Sequence, residues 1–335
     1  MSKGCRIALL GATGAVGREM LNILEEYRIP VERLLPLAGA RSAGGYVRFC
    51  GEDIRIEEAK PESFRGMDFV LGAVEAGLSR QFAPAIRESG AVYIDNSSAF
   101  RLDPEVPLVV PEINGADAFF HRGIVANPNC STVITMMAVA GIHALSPIES
   151  MTACTYQAVS GAGQKGLEEL DAQMRALVKG EEPAVSVFPA QIALNVIPWI
   201  GGEYGNGYTD EEMKLQNEGR RILHRPGLRV SCTCVRVPVL RSHSIAVSLR
   251  TERKIGVEEA RAAIRAFPGC RLAEDLNGRD YPTPLDAAGQ DAVWVGRVRE
   301  DLTNERGLTL WCCGDQLRKG AAANAVQILR LLAER

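Results

Sequence analysis

Apolar residues fall in short runs along the first third of the chain, with stretches of helical spacing between them. Arg6-Ile7-Ala8-Leu9-Leu10 predicts a buried strand, and residues 16–26 carry apolar side chains at helical period. Leu34-Leu35-Pro36-Leu37-Ala38 predicts a second strand, short or at an edge, because proline cannot donate to a ladder. Residues 68–73, 91–95 and 123–126 predict three more strands, with a helix over 78–89. Strands alternating with helices argue for βαβ units and a parallel sheet. Asn127-Pro128-Asn129 then marks a turn, and the run from Val133 to Ala140 predicts a buried helix ending near Ala144.

Beyond that helix the pattern changes. Strand candidates over 150–158, 229–237, 243–249, 293–299 and 308–313 are longer, and several alternate polar with apolar positions. Such alternation predicts a sheet with one covered face. Helices are expected near 166–179, 211–223 and 257–266. A last amphipathic helix over 319–332 is expected to pack back onto the first domain. No internal repeat or low-complexity tract interrupts this order.

Composition narrows the class without changing the picture. A chain of 335 residues, 46% hydrophobic and 24% charged, is an ordinary globular protein long enough for two domains. The net charge of −3 leaves no electrostatic footprint for nucleic acid or an anionic membrane. No apolar run approaches the roughly 20 residues needed to span a bilayer, and the N-terminus has no signal-peptide pattern. The nine cysteines form no Cys-x-x-Cys pair. Cys232-Thr233-Cys234 fits a strand interior, and Cys312-Cys313 follows an apolar strand. No metal site is expected, and a reducing cytoplasmic compartment with free thiols is.

Candidate chemistry begins at Gly11-Ala12-Thr13-Gly14-Ala15-Val16-Gly17, between the first strand and the first helix. Glycines let the backbone turn tightly and approach a pyrophosphate, and the helix N-terminus supplies N–H groups and a positive dipole end. The expected fold class is therefore α/β: an N-terminal Rossmann-type dinucleotide-binding domain with an inserted α+β domain. The boundaries are expected at 1–128 plus 315–335 for the first, and 129–314 for the second. NAD sites usually carry an acid after the second strand. This chain has Gly39-Ala40-Arg41-Ser42-Ala43-Gly44, and a guanidinium beside a hydroxyl suits the 2′-phosphate of NADP.

Cys130 stands just after the Asn-Pro-Asn turn, at the start of the buried helix. Free N–H groups and the helix dipole there favour a thiolate, a nucleophile able to form a covalent intermediate. The plainer alternative is a packing cysteine. A thiol nucleophile needs a proton-transfer partner, and of the four histidines His243 is the candidate. His121 and His224 lie in charged surroundings, and His143 reads as packing or a cap. His243 opens a strand seven residues after Arg236, on what reads as the neighbouring strand segment. Thr209-Asp210-Glu211-Glu212 reads as a capping box, with Glu211 and Lys214 on one helix face. Arg101 follows a strand of the first domain, near where ligands bind in open α/β sheets.

These residues, with the blocks around them, resemble the aspartate-β-semialdehyde dehydrogenase family along nearly the whole chain. The blocks are GATGAVG (11–17), ARSAG (40–44), IDNSSAFR (94–101), VPLVVPEIN (106–114), NPNCST (127–132), TYQAVSGAG (155–163), NGYTDEEMK (206–214), CVRVPVLRSHS (234–244) and LRKGAA (317–322). The resemblance implies a catalytic and dimerisation role for the inserted domain, NADP as cofactor, no metal, and homodimers or homotetramers. It implies reversible conversion of aspartyl phosphate and NADPH to aspartate semialdehyde, phosphate and NADP, within lysine, threonine, methionine and diaminopimelate biosynthesis.

The resemblance makes Cys130 the nucleophile, His243 the general acid/base, and Gln157 a residue that positions the acyl group. Asn129, Arg101 and Lys214 would bind phosphate. Arg236 would clamp the α-carboxylate, with Glu211 near the amino group. Gly11, Thr13, Gly14, Ala15, Val16, Arg41, Ser42, Ser160 and Gly161 would hold the cofactor. Two departures bear on cofactor contacts. Val74-Glu75-Ala76-Gly77-Leu78-Ser79 replaces a usual Ser-Ala-Gly-Gly-Ser run, and Asp315-Gln316 replaces Asp-Asn, which places Gln316 among the cofactor candidates. The alternatives are an N-acetyl-γ-glutamyl-phosphate reductase, a glyceraldehyde-phosphate-type dehydrogenase, and a non-catalytic NADPH-binding protein.

Overall fold

The computed structural model describes residues 4–335. Two units emerge: the chain up to Asn129 together with Ala321–Arg335, and Cys130–Gly320.

The first unit is built on strands β1 (Cys5–Leu10), β2 (Val31–Ala38), β3 (Tyr46–Phe49), β4 (Glu52–Arg55), β5 (Glu57–Glu58), β6 (Phe69–Gly72), β7 (Val92–Asp95) and β8 (Ile124–Ala126). Its helices are α1 (Ala15–Glu26), α2 (Ala76–Glu88), the single turn α3 (Pro111–Asn114), and a C-terminal helix, Ala323–Ala333. Six strands form a wholly parallel sheet in the order β5-β2-β1-β6-β7-β8. Ile7, Leu9, Leu71 and Ile94 of this sheet share a core with Met20, Ile23 and Leu24 of α1 and with Val326, Ile328 and Leu329 of the last helix. Pro36 is tolerated because β5 joins β2 only at Leu37 and Ala38, so nothing asks Pro36 for an outward N–H.

The turn after β1 shows why glycine is required. Gly11 has φ +92° and donates to Leu37 O, and a Cβ there would lie 2.4 Å from Ala73 O. A Cβ on Gly17 would lie 2.3 Å from Gly11 O. One element not anticipated is the β3–β4 hairpin. Its two-residue turn is Cys50-Gly51, both at positive φ (49° and 81°), which is the backbone such hairpins need.

The second unit adds α4 (Cys130–Leu145), β9 (Ile148–Gln157), α5 (Gly163–Lys179), α6 (Asp210–Ile222), β10 (Arg229–Arg236), β11 (His243–Thr251), α7 (Val257–Ala266), β12 (Cys270–Leu272), the single turn α8 (Pro284–Ala287), β13 (Val293–Glu300) and β14 (Gly307–Gly314). The C-terminal helix is thus α9, preceded by a π-helical turn, Arg318–Ala322. The sheet runs β10-β9-β11-β14-β13-β12 and is mixed, with β9–β10 and β12–β13 parallel and the other pairs antiparallel. Burial alternates along β9, β10 and β11: Met151, Ala153 and Cys232 are covered, while Thr152 and Thr233 are exposed. Helices α4, α6 and α7 supply the cover. Cys312 and Cys313 lie inside β14 rather than after it.

Candidate active site

The strand register of the second unit aligns the chemistry. Arg236 pairs with Gln157 across β10–β9, and Ser244 pairs with Tyr156 across β11–β9. The last residues of β9 and β10 and the first of β11 therefore lie at one level. Arg236 and His243 are not on adjacent strands, as their spacing suggested. They flank β9, with Gln157 between them.

His243 is fully buried, and its Nε2 lies 3.4 Å from Cys130 Sγ, at the first turn of α4. Its Nδ1 accepts the backbone N–H of Ala158 at 3.0 Å. Burial first, then the Arg236 charge, push the imidazole down to about 3, with Glu211 pulling the other way. The resting ring is therefore neutral. A nitrogen that accepts a backbone N–H carries no proton, so the proton sits on Nε2 and points at the sulfur.

The Ala158 carbonyl accepts from Arg236 Nη1 at 2.7 Å, so the backbone of one residue holds both side chains. The guanidinium is 7% exposed, lies 5.9 Å from the Phe188 ring centroid, and forms no ion pair among the described residues. A buried cation without a counter-ion is costly unless an anion joins it. Phe188 is brought there by α5, where the Glu169 carboxylate accepts from the N–H groups of Ser186 and Val187 and from Ser186 Oγ.

The capping box forms as expected. Thr209 Oγ1 accepts Glu212 N–H at 3.3 Å, and Glu212 accepts Thr209 N–H at 2.7 Å. Glu212 also accepts Cys234 N–H at 3.0 Å, which ties α6 to β10 two residues before Arg236. Glu211 accepts from Lys214 Nζ at 2.8 Å and from Gln157 Nε2 at 3.2 Å. Ser160 and Gly161 follow β9, and a Cβ on Gly161 would lie 2.8 Å from Arg236 Nη1 and 3.5 Å from His243 Cε1. Gln316 is buried and bonded to Ser160 Oγ and Ser242 N–H.

The remaining candidates belong to the first unit. The N-terminus of α1 has no side-chain cap and no acid in its first turn, so Ala15 and Val16 present backbone N–H groups fit for a pyrophosphate, while the Gly14 N–H is turned back to Gly11 O at 3.2 Å. Thr13 lies in the turn before it. Arg41, exposed and without a partner among the described residues, sits with Ser42 in the turn after β2. Arg101 is buried and donates to the carbonyls of Asn127 (2.9 Å) and Asn96 (2.7 Å), and Asn129 is buried as well. The atypical segment 74–79 opens α2, where buried Ser79 accepts from Tyr93 Oη at 3.0 Å. Among the described residues no cluster of metal-ligating side chains occurs and all nine cysteines are free. No helix of the described residues is long and apolar enough to cross a membrane.

Sequence reasoning missed Ala158, Phe188 and Gly320. Ala158 acts through its backbone and has no side-chain signature. A Cβ on Gly320 would lie 2.9 Å from Cys130 Cβ, a close approach that only the fold creates.

Comparison with known proteins identifies the family. Residues 6–119 match the semialdehyde dehydrogenase NAD binding domain family, and residues 139–319 the semialdehyde dehydrogenase dimerisation domain family. An aspartate-semialdehyde dehydrogenase of Synechocystis sp. is 47% identical, covering 100% of this chain and 99% of its own. That of Aquifex aeolicus is 45% identical, over 98% of both chains. The crystal structure of aspartate semialdehyde dehydrogenase II of Vibrio cholerae, complexed with ASA, superposes with a TM-score of 0.96 at 41% identity over 99% of each chain. The chain is an enzyme with a nicotinamide-cofactor domain, and it belongs to the aspartate-semialdehyde dehydrogenase family.

Proposed function

We propose that this chain reversibly converts L-aspartyl-4-phosphate to L-aspartate-4-semialdehyde with NADPH, through an acyl-thioester on Cys130. This step would serve lysine, threonine, methionine and diaminopimelate biosynthesis. Family membership supports the reading. The observation that carries it is buried, ion-pair-free Arg236 at one level with Gln157 and His243, with His243 Nε2 facing Cys130 Sγ. A substrate carboxylate on the Arg236 fork satisfies the charge, and a bidentate contact also sets orientation. Glu211 faces the α-ammonium. An N-acylated substrate would leave that carboxylate without this use, which disfavours the acetylglutamyl reading.

Cys130 attacks the acyl carbon as a thiolate, favoured by the α4 N-terminus and by the Nε2–H of His243. The C–O bond to phosphate breaks, phosphate leaves with the electron pair, and the thioester forms. Gln157 orients the acyl group, and Arg101, Asn129 and Lys214 receive the phosphate. Bound NADPH supplies the hydride that reduces the thioester. Breaking the C–S bond then returns the thiolate and frees the aldehyde. His243 holds or gives a proton at Nε2. Full proton transfer needs the imidazolium, which burial and then the Arg236 charge oppose. The substrate carboxylate offsets that charge and so removes the lesser of the two causes that hold the ring low, burial being the larger.

In the first unit the cofactor would be held by Gly11, Thr13, Gly14, Ala15, Val16, Arg41 and Ser42; Ser160 and Gly161 are cofactor candidates by resemblance alone. NADP is favoured over NAD because Arg41, without a partner among the described residues, stands where an acid would read ribose hydroxyls. Arg41→Ala should therefore weaken NADP far more than NAD in a binding titration, and equal weakening would reject this assignment. The protein would work in the cytoplasm, where free buried thiols persist.

The test of the whole reading is phosphate-dependent reduction of NADP with aspartate semialdehyde. Cys130→Ser should fold and bind NADP but retain less than about a hundredth of kcat, because an alkoxide is much harder to form than a thiolate. A serine variant keeping a tenth of the rate, or a parent protein inert in this assay, would reject it.

A further inference from the structure

The residue before His243 has an unusual backbone. Ser242 has φ +74°, a left-handed conformation that a residue with a Cβ adopts only when its surroundings impose it. Its side chain does not explain this. Ser242 is fully buried, and its Oγ has no hydrogen-bond partner among the described residues. What grips it is the segment after β14. His243 pairs with Gly314, so the chain leaving β14 runs beside the chain entering β11. Fully buried Asp315 accepts from Arg241 Nε at 2.5 Å and from the N–H groups of Gly289 (2.6 Å), Leu317 (2.9 Å) and Arg318 (3.1 Å). The next residue, Gln316, accepts the N–H of Ser242 at 2.7 Å through Oε1 and donates to Ser160 Oγ through Nε2.

We propose that Gln316 is a positioning residue for His243: its carboxamide locks Ser242 in the left-handed conformation and so aims Nε2 at Cys130. The sequence placed this glutamine among the cofactor contacts. Its carboxamide is instead spent inside the protein, at 3% exposure, with the oxygen on Ser242 and the nitrogen on Ser160. The same carboxamide joins the entry to β11 with the turn after β9 that carries Ser160 and Gly161. Imidazole and turn thus keep a fixed separation. Without the bond, Ser242 relaxes toward negative φ and the peptide entering His243 turns with it.

The proposal rests on the thioester reading for its kinetic arm, but not for its structural one. Gln316→Met removes both hydrogen bonds at nearly constant length, and Gln316→Asn, which keeps a carboxamide one methylene shorter, is the milder second variant. Each should lower kcat in the phosphate-dependent assay, the Met variant by at least about tenfold, with KM for NADP within about twofold. Adding Ser242→Gly should restore most of kcat, because glycine takes positive φ without strain and the lost hydroxyl had no partner. The second readout needs no turnover. In protein labelled with 15N-histidine, the His243 ring signals, identified by their loss in His243→Asn, should move in Gln316→Met and return in the double variant. A raised KM for NADP at unchanged kcat, or a glycine that rescues neither kcat nor ring signals, overturns the proposal. An inactive parent whose ring signals still shift and return refutes the thioester reading and leaves this one standing.

Discussion

His243 shows how one residue's environment sets its chemistry. Its place in the chain marked it, since it opens a strand seven residues after the candidate Arg236. Its protonation state came from the burial, from Arg236, and from the Ala158 N–H on Nδ1, none of which is local in sequence. The sign of the pH effect follows. Folding lowers this ring from 6.5 to about 3, so the unfolded chain takes up a proton near 6.5 that the folded protein refuses. Its contribution to stability is whole above 6.5 and is lost as pH falls toward about 3. His121 and His143, lowered by burial too, act in the same direction in any variant that keeps them. Urea midpoints taken at roughly pH 7 and pH 5 should drop less in His243→Asn than in the parent. Equal drops would show that the ring is already charged when folded.

At the scale of elements, three strand ends and one helix start carry the site. Periodicity placed β9, β10, β11 and α4 within a few residues of their limits, because alternation and apolar runs are local signals. It did not order the strands. That β9 lies between β10 and β11 is a matter of long-range pairing, and this order is what sets Gln157 between Arg236 and His243. The β3–β4 hairpin was legible in principle, as alternating residues around a turn ending in Gly51. The turn after β9 supports a sharp prediction. Alanine at Gly161 puts a methyl 2.8 Å from Arg236 Nη1, against the guanidinium that Ala158 O holds. Gly161→Ala should raise KM for aspartate semialdehyde by about tenfold or more, as misplacement of a positioning group does. Steady-state kinetics beside a melting curve will decide, and an unchanged KM in a folded variant would show that Arg236 does not clamp the substrate.

For the whole molecule, the second sheet matters beyond its site. One face is covered by helices, while the other leaves Thr152 and Thr233 exposed and Tyr156 at 36% exposure, 5.4 Å from the Trp311 ring. The dimerisation-domain match lies on this unit, and we propose that the chain works as a homodimer or homotetramer. Sedimentation equilibrium at micromolar concentration should give twice or four times the 36.2 kDa chain mass, and a single-chain mass would reject it. By itself the sequence determined the α/β class, the glycine turn, the thiol at a helix start, and the identity of each charged candidate. Those are properties of residue type and near spacing, and near spacing survives in any fold. The tertiary structure alone decided that His243 is neutral with its proton on Nε2, that Arg236 forms no ion pair among the described residues, and that Gln316 is bonded internally. Each depends on groups tens of residues apart in the chain, because burial and charge act through space.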